Sequence, residues 1–210
     1  MRITLRTTRA VTAAALAVCA LVVPATASTA ATPATAPSAS TQGGGVVGVS
    51  GLDVPRYLGT WYQVAAVPAL YELQCARDVT ATYTLTSATT LGVRNVCRTW
   101  FGGTSSVTGE GKVLNAPDSS ELNVAFLKVG GRYVHLGGAD YVVVGVGSAY
   151  DWAVVGDPTR LSGFVLSRTP SLGADQLAQV RAAIAGAGYD ACDFSLTPQT
   201  SGQKSRGPLC

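Results

Sequence analysis

Short extended segments separated by Gly, Asp, Ser and Pro dominate the chain from residue 57 onward. Residues 79–85 show alternation best, with Val, Ala, Tyr and Leu at odd positions and Thr at even ones. A period of two predicts a β-strand with one dry face and one polar face. Eight strands are predicted along the chain, at 58–66, 79–85, 91–100, 107–114, 121–127, 141–147, 151–155 and 163–168.

One segment near the end of the chain has a helical period instead. Its apolar residues follow at spacings of three, four and three, at Leu177, Val180, Ile184 and Ala187. This spacing predicts a helix with one buried face, with Ser171 as the N-cap. A short strand over 194–197 is predicted after it.

Eight consecutive strands followed by one helix are incompatible with an alternating βαβ fold and with a helical bundle. Two all-β arrangements with one helix remain. One is an eight-stranded antiparallel up-and-down β-barrel, which leaves room for one small ligand, and the other is a sandwich of two sheets.

The beginning of the chain has the pattern of an export signal. Three arginines precede an apolar run, which ends before the small-residue triplet Ala25-Thr26-Ala27. We therefore expect residues 1–27 to be a secretory signal peptide and the protein to be secreted. Lipid attachment at Cys19 is the alternative, but Val18 stands where a small residue is expected before a lipidated cysteine.

The rest of the chain divides by composition. Residues 28–50 are rich in Ala, Thr, Ser, Pro and Gly and carry no charge, which predicts a flexible linker. The folded domain is expected over 51–199. Residues 200–210 are expected to form an irregular tail that contains Cys210.

The charge balance argues against a nucleic-acid partner. The chain has 15 basic residues, and without the three arginines of the signal segment 12 remain, equal to the 12 acidic residues. A domain with no net charge lacks the electrostatic footprint that binds phosphate backbones. Arg94, Lys112 and Arg132 are candidates for a local basic rim.

Four cysteines remain after removal of the signal segment: Cys75, Cys97, Cys192 and Cys210. In an exported chain they predict two disulfides, with three possible connectivities. No pair has C-x-x-C spacing and the only histidine is His135, so we expect no metal and no cofactor.

The segment from Asp53 to Tyr62 resembles the lipocalin family, whose G-x-W motif is present here as Gly59-Thr60-Trp61. Residues 79–85, 109–112 and 164–170 resemble the second, fourth and eighth strands of bacterial and apolipoprotein D-like members. The resemblance extends over about residues 52–199. It implies the barrel rather than the sandwich, followed by a C-terminal helix.

The resemblance also implies roles for individual residues. Trp61 and Arg168 would close the floor of the barrel through a cation–π contact. Five residues would line the ligand cavity: Gln63, Ala65, Tyr83, Phe126 and Phe164. Gln63 and Ala65 are included because they share strand parity with Trp61. The alternative is that these five fill a core or face outward, because a register shift of one residue reverses every side chain.

A disulfide scheme follows from the same resemblance. Relatives tie a cysteine after the first strand to the C-terminal tail, so we expect Cys75 to pair with Cys210 or Cys192 and Cys97 with the other. Pairing of Cys75 with Cys97, and of Cys192 with Cys210, is the alternative.

The implied function is that of a secreted, monomeric carrier of a small hydrophobic ligand such as a fatty acid, a lysophospholipid or a similar lipid. Such a carrier is not an enzyme, and it would meet a membrane only transiently, during ligand exchange. Two alternatives stay open. One is a protein-interaction or inhibitor module on the same barrel, and the other is a lipocalin-fold isomerase or de-epoxidase.

Overall fold

The computed structural model describes residues 45–210, so the expected signal peptide and most of the expected linker lie outside the described residues. The strands of the described part are β1 (Gly59–Ala66), β2 (Cys75–Ser87), β3 (Thr90–Thr99), β4 (Thr104–Val113), β5 (Glu121–Ala125), β6 (Lys128–Val129), β7 (Arg132–Tyr133), β8 (Tyr141–Val146), β9 (Trp152–Gly156), β10 (Gly163–Ser167) and β11 (Ser195–Leu196). The α-helices are α1 (Val54–Tyr57) and α2 (Ala174–Gly186).

Eight of these strands form a closed antiparallel barrel. Each strand pairs with the next in the order β1, β2, β3, β4, β5, β8, β9 and β10, and β10 then pairs with β1. Closure leaves no free sheet edge in the ring. The predicted up-and-down barrel is thus confirmed. The β6–β7 hairpin is a separate small sheet inserted between β5 and β8.

Helix α2 packs on the outer wall of the barrel. Val180 and Ile184, two residues of its predicted apolar stripe, are fully buried there. The helix begins later than the predicted Ser171 cap. The Gln176 side chain accepts a hydrogen bond from the Gly173 backbone N–H at 2.9 Å and so caps the first turn instead.

Segment 195–200 fills a gap in the barrel wall. Strands β1 and β2 pair only at the beginning of β1, from Gly59 to Tyr62. Beyond that point β11 pairs with the end of β1. The Gln199 side chain, 1% exposed, donates to the backbone carbonyls of Gln63 on β1 and Val79 on β2, at 2.8 and 3.0 Å. One buried amide therefore joins two strands that have separated.

The folded domain begins before the expected end of the linker at residue 50. Val46 is buried beneath α2, and the Val49 backbone N–H donates to the carbonyl of Val143 on β8 at 2.8 Å. The prediction that residues 46–50 are flexible is therefore wrong. Apolar valines in this stretch dock on the barrel wall, whereas the sequence shows only a run of small and polar residues around them.

The favoured disulfide scheme is also wrong. Cys75 is bonded to Cys97, with Cα atoms 5.6 Å apart, and Cys192 to Cys210, with Cα atoms 4.8 Å apart. The reason is that β2 begins at Cys75, which lies opposite Thr99 on β3 and so comes close to Cys97. The tail meanwhile folds back on itself, with the Leu209 N–H donating to the Phe194 carbonyl.

No helix within residues 45–210 is long and apolar enough to cross a membrane.

Candidate ligand-binding site

The barrel has two different ends. The connections at 88–89, 114–120 and 147–151 lie at the end that holds Trp61, called here the closed end. The connections at 67–74, 100–103, 126–140 and 157–162 lie at the opposite, open end.

Trp61 and Arg168 form the floor of the closed end. The Trp61 ring is fully buried, and the Arg168 guanidinium carbon lies 3.6 Å from its centroid. Arg168 also donates to the backbone carbonyls of Arg56, Leu58 and Thr60, each at 2.8 Å. Its planar group thus combines a cation–π contact with three hydrogen bonds that lysine could not reproduce.

The glycine of the G-x-W motif is required by this floor. Gly59 has a φ of 93°, which side-chain-bearing residues rarely adopt, and an added Cβ would lie 3.4 Å from Arg168 Nη1. The motif residues Gly59 and Trp61 therefore serve the floor and do not contact the open end.

Three tyrosines fill the lower barrel above the floor. The Tyr141 hydroxyl lies 2.7 Å from that of Tyr57 and 2.9 Å from that of Tyr83. Burial raises the pKa of all three phenols, to about 12 for Tyr83. A cavity of about 10 Å³ remains beside them, which is about the space of one water molecule. A larger ligand does not fit below Tyr83.

The tyrosine cluster predicts a steep loss of stability at high pH. The pKa of a phenol is near 10 in the unfolded chain and higher in the folded one. The stabilisation is therefore complete below about pH 10 and is lost as the pH rises toward the folded-state values. We expect the three tyrosines of the cluster, among the eight of the chain, to ionise only with unfolding, measured by absorbance near 295 nm and circular dichroism on the same sample. Ionisation of all eight near pH 10 without unfolding would contradict the cluster.

The inner wall at the open end is apolar and accessible. Val107 shares the inner face of β4 with Gly109 and Gly111, yet it is 45% exposed. The Phe126 ring lies against Gly109, where an added Cβ would be 2.7 Å from its Cδ1, and is 44% exposed. Phe164 on β10 is half-buried against the inner core. We call this accessible apolar part of the inner wall at the open end the cup.

Polar groups at two positions face the same half of the barrel. Asn95 follows Leu91 and Val93 on the inner face of β3, and its Oδ1 is buried without a hydrogen-bond partner in the described part of the chain. Gln63, 5% exposed, donates to the Glu72 carboxylate at 3.0 Å. Burial raises the pKa of Glu72 above its usual value. This pair ties connection 67–74 to β1.

Comparison with known proteins agrees with this geometry. A family model described as a lipocalin-like domain matches residues 52–199. The chain belongs to the lipocalin family. It is 32% identical to temperature-induced lipocalin-1 of Arabidopsis thaliana over 155 residues, covering 72% of this chain and 82% of that one.

Two further relatives extend the comparison. This lipocalin is 33% identical to the outer membrane lipoprotein Blc of Escherichia coli K12 over 163 residues, covering 77% of this chain and 88% of Blc. Insecticyanin from the tobacco hornworm Manduca sexta superposes with a TM-score of 0.58 at 20% identity, covering 78% of this chain and 93% of that one. The latter likeness concerns the fold alone.

Ala65 does not line the cup of this lipocalin, so the prediction made from strand parity is wrong. The register of β1 on β10 shifts between Gln63 and Ala65. This bulge reverses the alternation. Ala65 therefore lies, fully buried, in the cluster beneath α2. Of the other four predicted lining residues, Gln63 and Tyr83 are buried on the inner face, and Phe126 and Phe164 lie at its accessible part.

His135 lies on the outer face of this lipocalin's barrel. Its ring nitrogens are 2.8 Å from Asn123 Oδ1 and 3.1 Å from Glu110 Oε1. Glu110 alternates with the inward-facing Gly109 and Gly111 along β4, so the histidine holds connection 126–140 against the outside of the wall.

A second, larger cavity of about 250 Å³ lies outside the barrel, where the C-terminal tail meets α2 and β1. Leu172, Leu177 and Leu196 contribute to its lining. The charged residue that lines it, Arg181, donates to the Leu209 carbonyl at 3.0 Å. This cavity is the space between the tail and the wall.

Several residues of the site were not predicted, among them Asn95, Val107 and Tyr141. Asn95 and Val107 could have been found, because the alternation of their strands places them on the same face as Val93 and Gly109. Tyr141 follows a long Gly-rich connection, and the sequence contains no signal that brings it to Tyr57 and Tyr83.

Proposed function

We propose that this lipocalin binds a small hydrophobic molecule in the open half of its barrel. The observation that supports the proposal is the combination of inward-facing and exposed apolar side chains: Val107 and Phe126 are 45% and 44% exposed on the inner side of the wall. Burying them against a ligand gains about 25 cal/mol per Å² before the cost of association. Exposure of these apolar groups to water is unfavourable, and a bound ligand would remove them from water.

The position of the floor limits the ligand. Because Tyr83 and Tyr141 fill the lower barrel, the ligand occupies the upper half and reaches toward the open end. Asn95 Oδ1 supports a ligand with a hydrogen-bond donor, since a buried acceptor without a partner costs about 1–3 kcal/mol that a hydroxyl or amide would recover.

A neutral polar end fits this wall better than an anionic one. Arg94 and Lys112 alternate with inward-facing residues on β3 and β4 and therefore point outward. A long-chain alcohol or a monoacylglycerol would thus be preferred over a free fatty acid.

A binding function is supported over an enzymatic one. Cys75, Cys97, Cys192 and Cys210 are all held in disulfides, and His135 is on the outer face. None of these candidate nucleophiles or bases is available on the inner face near Val107. The two disulfides also support our proposal that the protein is exported to an oxidising compartment. We further propose that it acts there as a monomer.

A pair of adjacent substitutions on β4 tests the ligand site. Val107→Trp places a large ring on the inner face and fills the cup, whereas Ser106→Trp places the same ring on the exposed outer face. We expect Val107→Trp to weaken binding of the uncharged probe N-phenyl-1-naphthylamine by at least about tenfold, because it removes the apolar contact area. Ser106→Trp should leave binding unchanged.

The measurement is the enhancement of probe fluorescence on titration, followed by displacement with octadecanol, monoolein and oleate. Preferential displacement by octadecanol or monoolein supports the neutral ligand, and Asn95→Leu should abolish that preference. Equal effects of the two tryptophan substitutions, or no probe binding by the unmodified protein, would contradict the proposed site.

A further inference from the structure

Large apolar side chains are concentrated in the connections at the open end. All four connections carry at least one that is mostly exposed, whereas the closed-end connections 88–89, 114–120 and 147–151 carry only Leu114. The open-end residues include Leu70, Leu73, Trp100, Phe101, Leu136 and Leu161, which are 58–100% exposed. We call these six residues the apolar rim. Exposed apolar groups at this density indicate an interaction surface.

The rim is held outward by specific contacts. Trp100 Nε1 donates to the Leu73 carbonyl at 2.8 Å, and the Arg206 guanidinium lies 4.8 Å from the Trp100 ring. Phe101, the next residue, is 100% exposed at the tip of the β3–β4 hairpin. The phenyl ring is thus presented to solvent by an anchored neighbour.

Two basic residues lie beside the rim on one connection. Segment 126–136 contains Lys128 and Arg132 and no acidic residue, and it exposes Leu127 and Val129 on either side of Lys128. Lys128 Nζ lies 4.2 Å from the centroid of the Tyr133 ring. The neighbouring carboxylate of Glu110 lies 3.1 Å from His135 Nε2 on the outer face of the wall. Apolar tips next to basic residues are typical of a surface that binds anionic lipid.

We propose that the open end docks on the surface of a lipid bilayer that contains anionic headgroups, with the apolar rim inserted at the interface. The exposed side chains of the rim lie on four separate connections, so each can insert into the deformable surface of a bilayer independently. A second protein copy would instead need a concave surface of matching shape. Trp and Tyr favour this depth because they combine an apolar ring with a polar group. The mouth would then open directly toward lipid, so a hydrophobic ligand would avoid crossing water.

The protein provides its own probe for this docking. Of its three tryptophans, Trp61 and Trp152 are 0% and 6% exposed, whereas Trp100 on the rim is 58% exposed. A change of tryptophan emission on adding vesicles therefore reports on the rim. We expect a blue shift with vesicles of phosphatidylcholine and phosphatidylglycerol, and co-sedimentation of the protein with them.

Variants at the two barrel ends separate docking from nonspecific adsorption. Phe101→Ser should lower the partition coefficient by about tenfold, as expected for one lost phenyl insertion. Leu114→Ser, at the closed end, should have no effect. Lys128→Gln with Arg132→Gln should remove the preference for anionic vesicles, at about fivefold per charge. All variants have the same N-terminal segment, so any contribution of that segment to vesicle binding is equal in every comparison.

Several results would overturn the proposal. These are absence of partitioning, equal losses for Phe101→Ser and Leu114→Ser, and a self-association in analytical ultracentrifugation that Phe101→Ser abolishes. The last result would assign the rim to a second copy. The same variants test docking separately from ligand binding in the cup. We expect Val107→Trp to bind vesicles normally although it binds the naphthylamine probe more weakly.

Discussion

Trp61→Ala should lower the free energy of unfolding by about 4 kcal/mol, which is the largest single effect that we expect. Trp61 is fully buried between Tyr57 and the Arg168 guanidinium, and its Nε1 donates to the Tyr57 carbonyl at 2.8 Å. Alanine leaves a cavity at the closed end and exposes the floor to water. Urea unfolding followed by circular dichroism measures the change.

A double-mutant cycle with Arg168→Met isolates the contact between the two residues. We expect a coupling energy of about 1–2 kcal/mol, because the cation–π contact is lost in either single variant. Trp152→Phe is a suitable control, because the Trp152 side chain is buried in the outer cluster, on the opposite face of the wall from Trp61. Additive effects of Trp61→Ala and Arg168→Met would show that the two side chains stabilise the barrel independently.

Gln199→Leu should lower the free energy of unfolding by about 2–4 kcal/mol. The substitution keeps the approximate volume but removes the two hydrogen bonds to the Gln63 and Val79 carbonyls. Each buried acceptor that loses its donor costs about 1–3 kcal/mol. Because these bonds join β1 to β2, hydrogen exchange should accelerate in both strands where they separate.

Gln203→Leu is the matched control for the place where Gln199 joins β1 to β2, called here the seam. Gln203 Nε2 donates to the Val64 carbonyl at 3.1 Å, where the Thr197 N–H also donates at 2.9 Å, and to the Thr197 carbonyl at 3.3 Å. The Val64 carbonyl keeps a partner and the bond to Thr197 is long and only partly buried, so we expect a loss of about 1 kcal/mol or less. A Gln199→Leu variant no less stable than Gln203→Leu would show that the seam does not depend on the buried amide.

The barrel itself could be predicted because its signals are local. Residues 79–85 of β2 show the period of two in their own sequence, the other barrel strands are short apolar segments between turn residues, and α2 shows the helical period. The G-x-W motif and Arg168 mark the floor, where Gly59, Trp61 and the guanidinium meet. These features can be recognised in the sequence without knowing which strands pair in the sheet.

The errors arose where a distant segment changes a local pattern. The bulge in β1 reverses the side chains after Gln63 and moves Ala65 to the outside, and no residue at that position marks it. Strand β2 begins at Cys75 rather than at residue 79, which brings Cys75 to Cys97. Its early part is irregular in register, so alternation fails there although pairing continues.

The cup could be predicted in part for the same reason. Tyr83, Phe126 and Phe164 were expected to face inward and do. The accessibility of these side chains depends on Tyr57 and Tyr141, which fill the lower barrel. Both tyrosines come from segments that are distant in sequence from each other and from Tyr83. The distinction between a packed floor and an open upper half is a property of the folded barrel alone.

The measurement that tests the ligand proposal most directly is native mass spectrometry of the protein isolated from its own host, followed by organic extraction and mass analysis of the released molecules. We expect a one-to-one complex with a discrete small hydrophobic compound that carries a hydroxyl or amide group. A protein that is isolated empty, and that also fails to bind the naphthylamine probe, octadecanol and monoolein, would contradict the carrier function and favour an interaction module on the same barrel.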